Sequence, residues 1–332
     1  MIFVDNERVT DPRINLAIEE HLLRKPEISD DILLFYINEP SIIIGRNQNT
    51  LEEINHEYVE ANGVHVVRRL SGGGAVYHDL GNLNYSFITN NDGNNFHNFH
   101  KFTAPVIDVL RNMGVEAELS GRNDILVDGR KISGNAQYST STRMYHHGTL
   151  LFNSQLEDVG SALNVKMGKI TSKGIKSVRS RVANIAEFLD DGLKDMGVEG
   201  FKSKILSGIF NGSGEIPQYV LTEDDWEAIR NLSDERYANW DWNFGKSPDF
   251  NLRKTHRFPI GEIDACIDVQ KGSIRGIKIY GDFFGQREIA EIEQRLAGVR
   301  FDRKSLREAL DPVDVSYYFG GLTNEELLRF LY

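Results

Sequence analysis

Three consecutive glycines at positions 72–74 constrain the fold of this chain more than any other stretch. Residues 64–67, Val-His-Val-Val, predict a β-strand that ends at Arg68 and Arg69, shortly before the glycines. Glycine lacks a Cβ, so its backbone adopts positive φ easily and lets a ligand approach closely. Successive N–H groups in such a turn form an anion-binding concavity, and the Arg69 guanidinium can pair with phosphate or carboxylate. The stretch predicts a site for a phosphorylated or adenylated small molecule.

The same glycines fit a simple tight turn between two strands about equally well. The stretch matches neither G-x-x-x-x-G-K-[ST] nor a G-x-G-x-x-G sequence that opens a helix. Residues 75–78 and 82–89 are instead strand-like, since Leu83, Tyr85 and Phe87 alternate with other residues. An anion bound here would lie on a strand–loop–strand frame, not at a P-loop or a Rossmann helix.

Length, charge and cysteine content exclude several classes of protein. The chain has 332 residues, which predicts two domains, and its formal net charge of −11 argues against a general nucleic-acid binder. Its one cysteine, Cys266, excludes an intrachain disulfide and fits a reducing compartment. We find no secretory signal and no apolar run approaching the roughly 18 residues of a membrane span. These features predict a cytoplasmic protein with neither nucleic acid nor membrane as a partner.

Hydrophobic periodicity predicts an α/β fold in which strands dominate up to residue 152. The predicted strands are residues 32–37, 42–44, 64–70, 82–89, 146–152, 263–269 and 274–279. The predicted helices are residues 12–25, 102–113, 223–232, 287–296 and 324–331. Residues 237–250 have few aliphatic side chains and predict a linker before a compact C-terminal αβ module.

One lysine stands out on a predicted hairpin. Asp128-Gly129 is a favoured two-residue turn, and Lys131 follows it on the second strand. A lysine there is usually a solvated edge charge, but polar and small residues crowd both sides of this one, at 120–124 and 133–136. His146 and His147 begin a later strand, and each taken alone favours a structural role.

Residues 165–181 carry six lysines and arginines and no acidic residue. This pattern fits either a solvated basic loop or a mobile cationic flap over an anionic ligand. The strongly acidic balance of the whole chain favours the flap.

Several blocks, taken together and in order, resemble the lipoate–protein ligase A family. They are residues 38–49, 68–82, 120–124, 130–134, 146–150 and 173–181. Residues 279–284 resemble the accessory domain of that family. The resemblance implies a mixed-sheet catalytic domain of the biotin/lipoate ligase kind, with flanking helices, over residues 1–245. It implies a small αβ domain over residues 246–332.

The resemblance also implies a lipoate-salvage reaction in two steps. Free lipoate and Mg-ATP give lipoyl-AMP and pyrophosphate. The lipoyl group then passes to a lysine of a lipoyl domain of a 2-oxoacid dehydrogenase or of the glycine-cleavage H protein. ATP and Mg²⁺ are the implied cofactors, with no tightly bound prosthetic group.

Lys131 is the implied catalytic residue. Its positive charge can neutralise both the lipoate carboxylate and the phosphate that this carboxylate attacks. Asp124 is implied on the metal side. The residues implied to bind nucleotide or lipoate are Arg69, Ser71, Gly72, Gly73, Gly74, Ala75, Val76, Tyr77, His78, Asn82, Asn123, Asp124, Lys131, His147, Ser177 and Arg179. An apolar slot for the lipoyl chain is expected from residues 42–44 and 64–67.

Three other functions are alternatives to this one. An octanoyl or lipoyl transferase of the same fold works through a cysteine thioester, yet residues 1–245 contain no cysteine. A biotin ligase would carry a Gly-Arg-Gly-Arg loop where this chain has residues 68–74. A non-catalytic adenylate-binding or lipoyl-domain-binding module stays open. The sequence also leaves open which acceptor protein is preferred and whether octanoate is used as well as lipoate.

The flap interpretation predicts that residues 165–181 become protected when lipoyl-AMP binds, because an anion relieves the repulsion among six like charges. Hydrogen exchange across this segment, with and without the adenylate, measures the change. Equal protection from hydrogen exchange with and without the adenylate would contradict the flap interpretation.

Overall fold

The computed structural model describes residues 1–25, 27–163, 181–212, 214–244 and 250–332. The chain forms two compact units, each assembled from segments that are distant in sequence. Unit 1 contains Met1–Ile43, Glu52–Val67 and Val76–Asn239, and unit 2 contains Ile44–Leu51, Arg68–Ala75 and Trp240–Tyr332. The division after residue 245 expected from the sequence stays a prediction.

Unit 1 is built on a mixed sheet. The strands up to residue 219 are β1 Ile2–Asp5, β2 Ile32–Ile37, β3 Ser41–Ile44, β4 His65–Arg68, β5 Val76–His78, β6 Asn82–Asn90, β7 Glu118–Ser120, β8 Asp124–Val127, β9 Arg130–Ser139, β10 Arg143–Leu151 and β11 Gln218–Tyr219. Eight of them form one sheet in the order β11-β1-β2-β6-β10-β9-β8-β7. Within it β1 runs parallel to β2 and β11, and the remaining neighbours are antiparallel. A three-stranded sheet has the order β4-β3-β5.

Helices cover both faces of the large sheet, so the predicted mixed α/β fold is confirmed. The helices up to residue 243 are α1 Pro12–Arg24, α2 Thr50–Glu53, α3 His56–Asn62, α4 Phe99–Asn112, α5 Leu156–Ala162, α6 Asp191–Lys194, α7 Gly197–Ile209, α8 Glu223–Leu232 and α9 Trp240–Asn243. On β6, Leu83, Tyr85 and Phe87 point into an apolar core shared with α4 and α7. The alternate residues Asn84 and Ser86 point to the face that α1 covers.

Caps explain where the helices begin. Asp11 Oδ1 accepts the N–H of Arg13 at 2.8 Å, and Pro12 occupies the first turn, as the sequence predicted for α1. Helix α4 begins at Phe99, earlier than predicted, because Asn98 Oδ1 accepts the N–H of Lys101 at 3.1 Å. The strand predicted over residues 64–70 is shorter, ending at Arg68.

Unit 2 contains a three-stranded antiparallel sheet with helices packed on it. Its remaining elements are β12 Leu252–Phe258, β13 Gly261–Gln270, β14 Ser273–Gly281, α10 Ile289–Leu296, α11 Arg303–Leu310, α12 Ser316–Phe319 and α13 Asn324–Leu331. The prediction of a linker over residues 237–250 is wrong for its described part. Helix α9 lies there, and Asn243 is only 5% exposed. Within the described ranges, every helix is too short or too polar to cross a membrane.

Asp225, on α8, ties α8 to α1 in unit 1. Its side chain is 1% exposed, and its carboxylate accepts hydrogen bonds from His21 at 2.8 Å, Lys25 at 2.5 Å and Tyr219 at 2.6 Å. The N–H of Thr222 donates to it at 2.9 Å. Burial acts to raise the pKa of Asp225, but the hydrogen bonds, led by that of Lys25, hold this pKa well below its usual value.

We predict that Asp225→Asn lowers the free energy of unfolding by about 3 kcal/mol at pH 7, because Lys25 loses its carboxylate in a mostly buried place. The pKa of Asp225 is lower in the folded than in the unfolded chain. Its contribution is therefore complete above about pH 5 and declines as the pH falls below that. Urea unfolding at pH 7 and pH 3 measures this effect. The difference in the free energy of unfolding between wild type and variant should be smaller at pH 3.

Asp191→Asn is the control, because Asp191 pairs with Lys194 at 2.8 Å while its side chain is 98% exposed. That variant should leave the urea unfolding midpoint unchanged at both pH values, because an exposed ion pair contributes little to stability. A difference for Asp225→Asn that is the same at both pH values would contradict the assignment.

Candidate functional site

Lys131 lies at the start of β9, directly after the turn from β8. Asp128 and Gly129 have φ values of 50° and 72°, the left-handed values of a type I′ turn, and the predicted hairpin is confirmed. Lys131 Nζ lies 2.8 Å from Asp124 Oδ1, with both side chains about one-third exposed. A Cβ built on Gly134 would lie 2.9 Å from Nζ. The ammonium is thus held in place by a carboxylate and by the space that Gly134 leaves.

The main chain of Lys131 is also held on its other side. Its N–H donates to the carbonyl of Arg181 at 2.8 Å, and its carbonyl accepts the N–H of Ala183 at 2.9 Å. Arg181 is the last residue of the predicted flap. The rest of that segment, with the predicted site residues Ser177 and Arg179, lies outside the described residues.

Asn135 holds the residues that precede Asp124. Asn123 Nδ2 donates to the Asn135 carbonyl at 2.7 Å. The backbone N–H and the Nδ2 of Asn135 both donate to the Asn123 carbonyl, at 2.9 Å and 3.1 Å. These hydrogen bonds set the start of β8, from which Asp124 reaches Lys131. The sequence predicts Asn123 as a site residue, and it gives Asn135 only as one of the polar and small residues flanking Lys131.

Asn135 is itself the centre of a buried polar network. Its Oδ1 accepts from the Tyr85 hydroxyl and from His146 Nε2. Gln137 Oε1 accepts the N–H of His97 at 2.7 Å, so Gln137 Nε2 donates to His146 Nδ1 at 3.1 Å. Burial, with a smaller contribution from the neighbouring histidine, holds the pKa of His146 well below its usual value. Burial likewise raises the pKa of Tyr85. Both groups are neutral, and His146 carries its proton on Nε2.

His147 points to the opposite face of β10, toward α1. Its Nδ1 lies 3.0 Å and 3.1 Å from the two carboxylate oxygens of Glu19. Because a carboxylate accepts, Nδ1 carries a proton. Glu19 is 1% exposed, and His147 is 8% exposed. The arrangement is that of the structural histidine favoured for this residue in isolation, and its predicted role in ligand binding stays a prediction.

The predicted residues on β5 and β6 are largely buried in unit 1. Asn38 Nδ2 lies 3.0 Å from His78 Nδ1 and donates to it, since Asn38 Oδ1 accepts from Asn15. Asn82 Nδ2 donates to Asn84 Oδ1 at 3.0 Å. Asn82 Oδ1 is buried without a hydrogen-bond partner among the residues described, which is a feature of ligand sites. Tyr77 is buried, which raises its pKa, and Val76 is half-buried.

The glycine loop, residues 69–75, belongs to unit 2. Arg69 is buried, and its guanidinium donates to Ser71 Oγ at 2.9 Å and to the carbonyls of Gly72 and Gly74 at 2.7 Å and 2.8 Å. The sequence predicted that this fork faces a ligand. The structure directs these donors to oxygens of the loop itself, which they hold in shape. Ala75 ends the loop and is half-buried.

Each glycine of the loop has its own geometry. A Cβ on Gly72 would lie 2.3 Å from the carbonyl oxygen of Phe283. Gly73 has a φ of 91°, and its Cβ would lie 2.8 Å from the Phe284 ring. A Cβ on Gly74 would meet nothing within 4 Å. Packing and backbone conformation therefore require the first two glycines, and the third leaves open space beside the main chain.

Asp124 was also predicted on the metal side. In the part of the chain that the structure describes, His, Cys, Asp and Glu side chains form no group of three or more able to hold a metal. Asp124 contributes a single carboxylate there, with one oxygen on Lys131.

Two family models match the chain. The lipoyl protein ligase A/B catalytic domain matches residues 11–210, and the bacterial lipoate protein ligase C-terminus matches residues 247–331. The lipoate-protein ligase LplJ of Bacillus subtilis is 58% identical over the full length of both chains. Lipoate–protein ligase 1 of Staphylococcus aureus is 50% identical, also over the full length of both.

Solved structures resemble the fold. P. falciparum LipL1, in complex with lipoate, has a TM-score of 0.78 at 24% identity, covering 94% of each chain, which shows a shared fold. A bipartite lipoate protein ligase of Thermoplasma acidophilum, determined with its E2 lipoyl domain, has a TM-score of 0.64 at 28% identity. It covers 76% of this chain and 98% of its own. A lipoate-protein ligase A bound with ATP has a TM-score of 0.60 at 27% identity, covering 74% and 97%.

We predict that Asn135→Ala destabilises the protein by about 3 kcal/mol, because the Tyr85 hydroxyl, His146 Nε2 and the Asn123 carbonyl each lose a buried partner. Urea unfolding measures the loss. Asn91→Ala is the matched control, since the half-buried Asn91 side chain bonds only to main-chain groups, donating to the Thr140 carbonyl at 2.8 Å and accepting the Gly93 N–H at 3.2 Å. Equal losses for the two variants would show that the network carries no special stability.

Proposed function

Because this chain belongs to the lipoate–protein ligase family, we propose that it activates free lipoate with ATP to lipoyl-AMP and then transfers the lipoyl group to a protein lysine. The observation that carries the chemistry is the pair of Lys131 and Asp124 at 2.8 Å on an ordered hairpin. Lipoate and ATP are its substrates.

Lys131 is the proposed catalytic residue. The lipoate carboxylate must approach the α-phosphate of a polyanion, and a fixed ammonium lowers the repulsion between them. It also stabilises the negative charge that develops as pyrophosphate leaves. Asp124, Gly134 and the Arg181 carbonyl hold the lysine in place before the substrates bind, so little reorganisation is needed during the reaction.

We assign binding roles within each unit. In unit 1, Val76, Tyr77, His78, Asn82, Asn123, Asp124 and His147 are proposed to contact lipoate or nucleotide. In unit 2, the loop with Arg69, Ser71, Gly72, Gly73, Gly74 and Ala75 is proposed to bind phosphate through its N–H groups. Arg69 shapes this loop, and the open side of Gly74 leaves room for an anion. Ser177 and Arg179 are proposed to contribute charge and hydroxyl groups to the same reaction.

Magnesium is the proposed metal, supplied with ATP. Mg²⁺ commonly binds through one or two carboxylates together with substrate phosphates, and the Asp124 carboxylate beside Lys131 is a ligand of that kind. The ion would neutralise phosphate charge. Asp124 holds Lys131 through one oxygen and can present the other to the ion.

The acceptor is proposed to be a lipoyl domain of a 2-oxoacid dehydrogenase or the glycine-cleavage H protein. A related archaeal ligase was determined with its E2 lipoyl domain, which supports the first of these. A transferase working through cysteine is disfavoured, because Cys266 lies buried in β13 of unit 2. The cytoplasmic location stays a prediction.

We predict that Lys131→Ala slows lipoate-dependent pyrophosphate release by at least about 10²-fold, as for other lost transition-state donors. Lys131→Arg should also be poor, because a planar fork cannot replace a compact ammonium over Gly134. Pyrophosphate release by each purified variant is the measurement, with thermal unfolding to show that the fold is retained.

Lys194→Ala is the matched control, since Lys194 forms an ion pair of the same 2.8 Å length with Asp191 at the surface of unit 1. It should keep wild-type activity. Near wild-type adenylation by Lys131→Ala would contradict this assignment and show that Lys131 is an ordinary solvated lysine at the edge of the sheet.

A further inference from the structure

A small pocket of about 180 Å³ lies in unit 1, between the turn that follows β1, the turn between β5 and β6, and the first turns of α7. Val9, Leu80 and Val198 give it apolar walls, and Arg8, Glu199 and Lys202 give it charge. None of these residues belongs to the site proposed above. The pocket therefore needs its own explanation.

Lys202 is the buried charged group of this pocket, and its only ion pair among the residues described is a long one to Asp5. It is 9% exposed, and among the residues described it forms no hydrogen bond. Its nearest carboxylate oxygen is that of Asp5, at 4.0 Å, beyond hydrogen-bond distance. Lysine is rarely buried unless it is paired, because its ammonium has three N–H donors to satisfy. An anion in the pocket would satisfy them.

Arg8 brings a second positive charge through a strained turn. Glu7 and Arg8 have φ values of 54° and 62°, and the turn closes with the N–H of Val9 donating to the Asn6 carbonyl at 3.1 Å. Two successive non-glycine residues in the left-handed region cost free energy and are enriched at ligand sites. Arg8 forms no ion pair or hydrogen bond with any described residue. Arg8 is exposed and lines the pocket, so its positive charge is available to a ligand there.

The charges and the walls together define the chemistry of a ligand. The lining carries two cations and one acid, Glu199, so its net charge suits a single negative charge rather than a phosphate dianion. Asp5 lies outside the lining and is half exposed to water. The apolar walls suit a short hydrocarbon stem.

We propose that this pocket binds a carboxylate on a short apolar stem, with Lys202 and Arg8 as its charge partners. Two sources carry that chemistry: a free short-chain acid, and an acidic side chain of the acceptor protein. The second source rests on the proposed function. The competing explanation is that the Lys202 stem merely covers apolar surface while its ammonium reaches water.

Methyl NMR of the full chain, with butyrate as the probe, tests the pocket directly. The Val9, Leu80 and Val198 methyl signals should shift and saturate. Lys202→Met should weaken binding by about tenfold or more, the size expected for a lost charge-assisted hydrogen bond. Lys204→Met is the matched control, because Lys204 is exposed on the same helix, and it should bind as wild type does.

Two further variants keep this test decisive if Lys202→Met does not fold. Arg8→Met changes an exposed residue and should weaken butyrate binding several-fold. Glu199→Gln removes the negative charge of the lining and should tighten it. Butyrate shifts that are equal in every variant, or absent from these methyls, would overturn the pocket as a site for a free carboxylate.

The source is decided with a purified apo lipoyl domain as acceptor. A raised KM for the acceptor in Lys202→Met, with unchanged lipoate-dependent pyrophosphate release, identifies an acceptor side chain. An unchanged KM together with lost butyrate binding identifies a free acid. If neither measurement responds, the proposal is wrong. Absence of pyrophosphate release in wild type would refute the proposed function, and the butyrate arm would still decide the pocket.

Discussion

The buried guanidinium of Arg68 is the interaction on which the glycine-loop region depends. Its N–H groups donate to oxygens from two stretches far apart in sequence. The acceptors are the carbonyls of Gly45, Arg46, Gln48, Trp242 and Asn243 and the hydroxyl of Thr50. Only arginine has five donors in one rigid group, so one side chain satisfies a set of buried carbonyls that would otherwise be costly. The glycine loop begins at the next residue, so the hydrogen bonds of Arg68 fix where the loop starts.

In unit 1, too, one buried side chain satisfies polar groups from several segments, but there the groups are neutral. Asn135 connects β6, β9 and β10 and the residues before β8 through one amide. A network of this kind is stable only when every member is satisfied. It fixes the residues before β8, from which Asp124 reaches Lys131, so this buried network also positions the lysine proposed to be catalytic. A lysine that acts electrostatically gains most from being held before the substrates arrive.

Unit 1 also shows how two neighbouring histidines on one strand are held in different environments. His146 and His147 are neighbours on β10 and therefore point to opposite faces of the sheet. His146 is neutral and enclosed by aromatic rings and amides on the α4 face. His147 meets the Glu19 carboxylate on the α1 face. Burial lowers the pKa of His146 and keeps it neutral, whereas His147 is held by its hydrogen bond to Glu19.

The sequence by itself determined the fold class, the hairpin around Asp128-Gly129 and most of the elements, because these follow from periodicity and turn chemistry within a few residues. Together with the resemblance, it also determined the family. Only the tertiary structure decided that the Arg69 guanidinium donates to carbonyls of its own loop. It also decided that residues 240–243 form a helix whose Asn243 accepts the N–H of Arg68, and that the Asn135 side chain donates to the Asn123 carbonyl. These depend on partners distant in sequence, and no local pattern reports which buried carbonyl a guanidinium or amide will satisfy. The buried Lys202 is a case of the same kind, since its sequence pattern is that of any helix lysine and only its burial distinguishes it.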